Sequence, residues 1–419
     1  MKLQKIYLRY FPPGLAFNYT RNNNTEETKC IDVFDLTIKS DLDEIMKQLR
    51  KREPAIFTKD IQPQVHELLE KMQQKLNEPV KNKFYLYKTL QTHILPLTNV
   101  DFDRSGQKCI TGSYDRTCRI WNVESGDEIN ILKGHENVVF SVAFNYPKCD
   151  KIVTGSFDKT AKIWSVSSGA CLNTLWGHSG EIVGAEFNKN SDMICTSSMD
   201  ETAILWSTET AQEINSFRKH EAEVISCHFN GIGNLLITGS FDETSMIWDI
   251  REKDPVSVLR GHDAEISNCI WNASYNQIAT SSLDGTAKIW DLRDTKSPLF
   301  TMKHNDEVLD VCFNYTGKIA TCSSDCMAKV WNENGELLLT LEGHNDEISK
   351  VCFSPNGSLL LTASADKTAR LWHVDSDTEN GLCLQVLTGH TNELFSCCFN
   401  YTGDAILTAS KDNTCKLYR

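Results

Sequence analysis

The 16 cysteines include no Cys-x-x-Cys pair, and the chain has no glycine-rich phosphate loop, no Gly-x-Ser-x-Gly and no His-Glu-x-x-His. The first absence argues against thiolate zinc sites and dithiol redox chemistry. The others remove the usual supports of phosphoryl transfer, acyl transfer and metal-dependent proteolysis. Apolar runs are short: none approaches a membrane span, and the start Met1-Lys-Leu-Gln-Lys5 lacks the apolar stretch of a secretory signal. A reduced intracellular protein is expected, with Cys227, Cys269, Cys312, Cys352 and Cys397 as small core residues and no disulfide framework. Sequences such as Asn314-Tyr-Thr316 then read as turns. Positive charge is also scarce, 43 Lys and Arg against 56 Asp and Glu.

What the chain has in abundance is repetition. His93, His135, His178, His220, His262, His304, His344 and His390 are each followed, 21 to 23 residues later, by Asp115, Asp158, Asp200, Asp242, Asp284, Asp325, Asp366 and Asp412. Six residues beyond each aspartate stands a ring: Trp121, Trp164, Trp206, Trp248, Trp290, Trp331, Trp372 and Tyr418. A period of 40 to 46 residues with these signatures predicts a β-propeller, one four-stranded sheet per repeat. Within one repeat, strands are predicted over 182–187, 193–198 and 203–206. A buried bonding scheme is expected at His178, Ser198, Asp200 and Trp206, with His262, Asp284 and Trp290 in equivalent places. Catalytic or metal-binding use of a His–Asp pair is excluded by its eightfold recurrence. No cofactor or metal is called for, and no enzyme is expected.

The last repeat stops at its third strand, Thr414 to Arg419. Residues 84–90 match the fourth-strand position of other repeats (for example 171–176), so they are expected to complete the final blade and leave no open edge. Residues 84–419 then hold eight blades; seven blades with a spare repeat would strand an edge.

Residues 1–83 differ in character. Leu42, Ile45, Met46 and Leu49 behind Ser40 and Asp43 predict one capped amphipathic helix. Val65, Leu68, Leu69, Met72 and Leu76, between Pro63 and Pro79, predict another. The fold class expected is thus all-β, an eight-bladed propeller preceded by a small α-helical N-terminal module. The first 30 residues, with Tyr7, Tyr10, Phe11, Phe17 and Tyr19 around Pro12-Pro13-Gly14, are too aromatic for a disordered tail.

Charge divides unevenly. Residues 1–83 hold 15 Lys and Arg against 12 Asp and Glu; the remainder holds 28 against 44. An acidic disc repels nucleic acid and anionic membrane and suits a basic protein segment. Three residues after the histidine, six consecutive repeats carry Glu181, Glu223, Glu265, Glu307, Glu347 and Glu393. These are expected to form an arc near the mouth of the axial channel. Tyr114, Phe157, Met199, Phe241 and Leu283, just before the turn aspartates, are expected on the same face. Phe140, Val183, Ile225, Leu309 and Phe395 stand at a second matched place. Apolar and aromatic residues ringed by one charge make a protein-docking surface.

The Gly-His, Ser-x-Asp and Ile/Leu-Trp signatures resemble the WD-repeat family throughout residues 84–419. Leu8-Arg9-Tyr10-Phe11-Pro12-Pro13-Gly14, the helical segment and the eight repeats are similar to a branch of it that serves outer dynein arm assembly and transport in cilia. Departures are local: Thr92, Lys219 and Lys303 replace glycine before a histidine, Met327 replaces threonine, and Tyr418 replaces tryptophan. The resemblance implies a monomeric adaptor of the cytoplasm and of the cilium or flagellum, including its basal body region. It implies that the outer-arm dynein complex and intraflagellar transport complex B are its partners. A substrate-recognition subunit of a ubiquitin ligase is the alternative, and residues 1–83 contain no recognisable ligase-recruiting segment. A propeller enzyme would need polar residues converging in one blade interface.

Overall fold

The computed structural model describes residues 2–20, 26–37, 40–54, 56–57, 61–76, 82–374 and 381–419. The chain divides into two compact units, 1–81 and 82–419.

The first unit contains the two expected helices and adds to them a sheet that was not expected. It opens with an antiparallel meander of β1 (Lys2–Arg9), β2 (Gly14–Thr20) and β3 (Glu26–Asp32) in the order β1-β2-β3. The aromatic opening is this sheet: Pro12 and Pro13 lie in the β1–β2 turn, and β2 buries Leu15 and Phe17 on alternate positions. Glycine is required at position 14, where a Cβ would lie 2.8 Å from the Ile31 carbonyl oxygen. Two helices follow, α1 (Leu42–Arg52) and α2 (Gln62–Leu76). The α1 cap is Asp41, which accepts from the Asp43 N–H at 2.9 Å; Ser40 instead donates to the Asp35 carbonyl. Ile45 and Leu49 of α1 and Val65, Leu69 and Met72 of α2 bury against Leu15, Phe17 and Ile31, so the predicted helical periodicity is the core-facing stripe. Phe57 meets Phe17 edge-on at 5.4 Å. Pro79 lies outside the described residues.

The second unit holds eight four-stranded antiparallel sheets, within residues 97–133, 139–175, 182–217, 224–259, 266–303, 308–341 and 348–387 and, for the eighth, 394–418 with 86–90. In the third blade the strands are Ile182–Phe187, Met193–Ser198, Ala203–Ser207 and Glu213–Phe217. The first strand of every blade packs against the first strands of both neighbours, and that of the eighth meets that of the first, which closes a ring about an axis.

Closure of the last blade follows the register. Leu86–Leu90 pairs antiparallel with Cys415–Tyr418, Leu90 opposite Cys415 and Leu86 opposite Tyr418. Tyr85 and Arg419 exchange backbone hydrogen bonds at 2.8 and 2.9 Å. The fully buried Phe84 anchors the strand: its N–H donates to Gln385 of the seventh blade, and its ring meets Phe399. The cysteines are all free thiols; Cys227, Cys269 and Cys397 are buried, and Cys312 and Cys352 half-buried.

Candidate functional site

In each blade one buried chain of hydrogen bonds fixes the loops that form one end of the ring. The histidine Nδ1 lies 2.7–3.0 Å from the turn aspartate. Its Nε2 lies 2.7–2.8 Å from a threonine hydroxyl. In the seven blades with tryptophan, the indole N–H donates to that hydroxyl at 2.8–3.0 Å. An ionised carboxylate can only accept, so Nδ1 carries the proton. A neutral imidazole then accepts at Nε2 from the threonine O–H, and every donor has an acceptor.

The hub is Thr196 in the third blade and Thr280 in the fifth, a residue that the expected set of His178, Ser198, Asp200 and Trp206 did not include. Ser198 closes the turn instead, its oxygen accepting from the Asp200 N–H at 3.1 Å. The two side chains are two apart on one strand and share a face, and only the earlier one lies under the indole. A threonine ten residues before the ring recurs in all eight repeats, at Thr111, Thr154, Thr196, Thr238, Thr280, Thr321, Thr362 and Thr408, which is the signal that identifies it.

Burial pushes Asp115 up, but hydrogen bonds from His93 and Thr117 outweigh it and hold the carboxyl at about 2. Burial likewise opposes the bonds from His262 and Thr286 at Asp284, which win and hold it below the usual carboxylate range. Burial lowers His93 and His304, in keeping with neutral rings. At Asp325, Met327 keeps the backbone donor at 3.0 Å and removes the hydroxyl. At Tyr418 the indole donor is missing, and the phenol reaches the Thr388 carbonyl at 3.5 Å.

These loops carry the glutamates. Each stands immediately before the first strand of its blade, so all six lie at one end of the ring. The carbonyl of Glu181 accepts from the Met199 N–H, Glu223 from Phe241, Glu265 from Leu283, Glu307 from Ser324, Glu347 from Ala365 and Glu393 from Lys411, at 2.8–2.9 Å. Every glutamate is therefore tied to the residue before a turn aspartate. Glu265, Glu307 and Glu347 are exposed, and Glu181, Glu223 and Glu393 half-buried. Glu393 is distinguished by an ion pair with Lys411 at 3.0 Å, which offsets its charge.

Among the apolar neighbours Tyr114, Phe140 and Met199 are exposed, while Phe157, Val183, Ile225, Phe241, Leu283, Leu309 and Phe395 are half-buried. Phe140 and Phe157 stack at 5.3 Å, joining the two aromatic positions of the second blade into one platform.

Further along the first strands lie cross-blade contacts that the sequence reading missed. Asp310 accepts from the Asn268 amide at 2.7 Å and pairs with Lys350 at 3.2 Å, linking the fifth, sixth and seventh blades. The Asp310 charge raises Lys350 above the usual ammonium range. His228 and Glu186 pair at 2.6 Å across the third and fourth blades. Burial alone would lower His228; the charge and hydrogen bond of Glu186 outweigh it and raise it. Burial drives Asp101 up to about 7, against hydrogen bonds from the Phe144 N–H and the Tyr146 hydroxyl. Only residues from neighbouring repeats read together reveal these pairs.

A family model described as the IFT122 first beta-propeller matches residues 96–373, and one for the WD domain, G-beta repeat, matches residues 381–419. "Dynein assembly factor with WD repeat domains 1" of Danio rerio is 49% identical over 152 residues, and that of Homo sapiens 48% over 152 residues. Each match covers 36% of this chain and 36% of the relative, so the chain spans about a third of the length of the curated relatives it matches. The crystal structure of the computationally designed Ika8 protein superposes with a TM-score of 0.70 at 26% identity, over 79% of this chain and 98% of that one.

Proposed function

The chain belongs to the WD-repeat family, in the group described as the IFT122 first beta-propeller, and on that premise we propose that it is a non-enzymatic adaptor in dynein assembly. In this reading it links preassembled outer-arm dynein to intraflagellar transport complex B, in the cytoplasm and in the cilium or flagellum, including the basal body region. The likeness to the dynein assembly factors of zebrafish and human supports the first half of that role. The name of the matched propeller family directs attention to intraflagellar transport for the second.

The observation that carries an adaptor over an enzyme is the shared end of the ring. There the histidine–aspartate pairs are spent on buried, hydrogen-bonded structural chains, while the glutamates and the Phe140–Phe157 platform are left at the surface. The glutamates supply long-range attraction for a basic segment, and the aromatic residues supply contact area. Affinity purification of the full chain from ciliated cells, with outer-arm dynein and transport complex B quantified in the eluate, tests this reading. Both complexes are expected to co-purify. Recovery of neither would overturn it.

A further inference from the structure

Residues 2–76 offer a surface of a different kind. The meander leaves β1 at its edge, and among the described residues β1 pairs with β2 alone. In an antiparallel pair, alternate residues direct their N–H and C=O groups away from the partner, so β1 has a side open to another strand. Beside β1 runs a groove of about 350 Å³, walled by the strand on one side and by α2 on the other. Leu3 and Ile6 of β1 and Leu68 of α2 are half-buried there, while Gln64 and Lys5 are exposed. Lys71 on the helix wall is already engaged, 2.7 Å from Glu67. Lys5 is exposed and, among the described residues, forms no ion pair.

We propose that this groove binds an extended, acidic peptide segment of a partner protein, which adds to β1 as a fourth strand. A strand edge dictates an extended ligand, because only an extended backbone meets that row of donors and acceptors. The apolar wall positions dictate apolar side chains at every second residue. Charge selects the sign: of the three charged residues at the groove Glu67 and Lys71 neutralise each other and leave Lys5, so an acidic segment is drawn in and a basic one repelled. A second copy of the chain is disfavoured as occupant, since edge-to-edge pairing would bring like-charged strands together. The segment must lack proline where it pairs. This surface and the glutamate end of the propeller thus select opposite charges, and the two proposals stand or fall separately.

A random-peptide phage library panned on the full-length protein, with counter-selection on Gln64→Trp to fill the groove, isolates ligands of this groove. Survivors are expected to alternate apolar residues and to carry an acidic one. Synthetic versions should bind the wild-type chain about tenfold or more tightly than they bind Gln64→Trp. Lys5→Glu should bind more weakly than wild type, and methylation of alternate peptide nitrogens should abolish binding. Bound peptide should slow amide hydrogen exchange over residues 3–8, and both variants should melt as wild type does. An absence of survivors, survivors that are basic or indifferent to N-methylation, or a dimer paired through β1 would each overturn the proposal.

Discussion

At the scale of the residue, the threonine hub makes the most demanding claim. Thr280→Val keeps the shape of the side chain but strips the partner from both His262 and Trp290, and it should cost about 1–3 kcal/mol of stability, the usual penalty for orphaned buried polar groups. Thr280→Ser, which restores the hydroxyl, should recover most of it; chemical denaturation checks both. The turn aspartates of these hydrogen-bonded chains titrate below their unfolded value, so their stabilisation is complete above the ordinary carboxylate range near pH 4. It is lost as pH falls through the folded values, about 2 for Asp115. Asp101 has the opposite sign. Its folded value, about 7, lies above the unfolded one, so stability is lost as pH rises from about 4 through about 7. Asp101→Asn should therefore gain melting temperature over wild type progressively across that window and hold the gain above it. The histidine, aspartate and ring columns were legible because each is a chemically distinctive residue type. The threonine column was passed over because threonine is also an ordinary strand residue, and only its fixed distance of ten residues from the ring marks it out.

At the scale of the element, closure by Leu86–Leu90 joins the start of the propeller to its last strand. Removing residues 1–90 takes away that strand and Phe84, and leaves Cys415–Tyr418 as an open edge. Aggregation is expected, because an unpaired strand edge recruits other chains. Removing residues 1–81 should leave a monomer that melts cooperatively. Light scattering and calorimetry compare the two, and identical behaviour would refute the closure. The third blade's strands and the closing segment could be read from alternation and from the phase of the repeat. The sheet at the start could not: β1 is short of turn signals within its own length, and its partner β2 is defined only once Pro12-Pro13-Gly14 is seen as the corner between antiparallel strands. The two helices were legible since apolar spacing at three and four residues survives without tertiary context.

At the scale of the whole molecule, the acidity of residues 84–419 acquires a direction. Eight repeats in one order bring six glutamates to one end of the ring, and five of them lack, among the described residues, the lysine partner that Glu393 has in Lys411. Sequence spacing was enough to place them in equivalent positions; the Lys411 pair was not legible, because it depends on which residue precedes the turn in a single blade. Exposed charges contribute little to folding, so reversing Glu265, Glu307 and Glu347 to lysine should leave the melting temperature nearly unchanged. Their effect on association should be long-ranged and screened by salt, as the Debye length falls from about 10 Å at 0.1 M to about 3 Å at 1 M. The most direct test is the association rate of the full chain with purified outer-arm dynein complex, measured across that salt range for wild type and for the triple reversal. Wild type should bind with a rate that falls steeply with salt, and the reversal should be slow and nearly salt-independent. Equal rates and equal salt dependence for the two proteins would contradict the account.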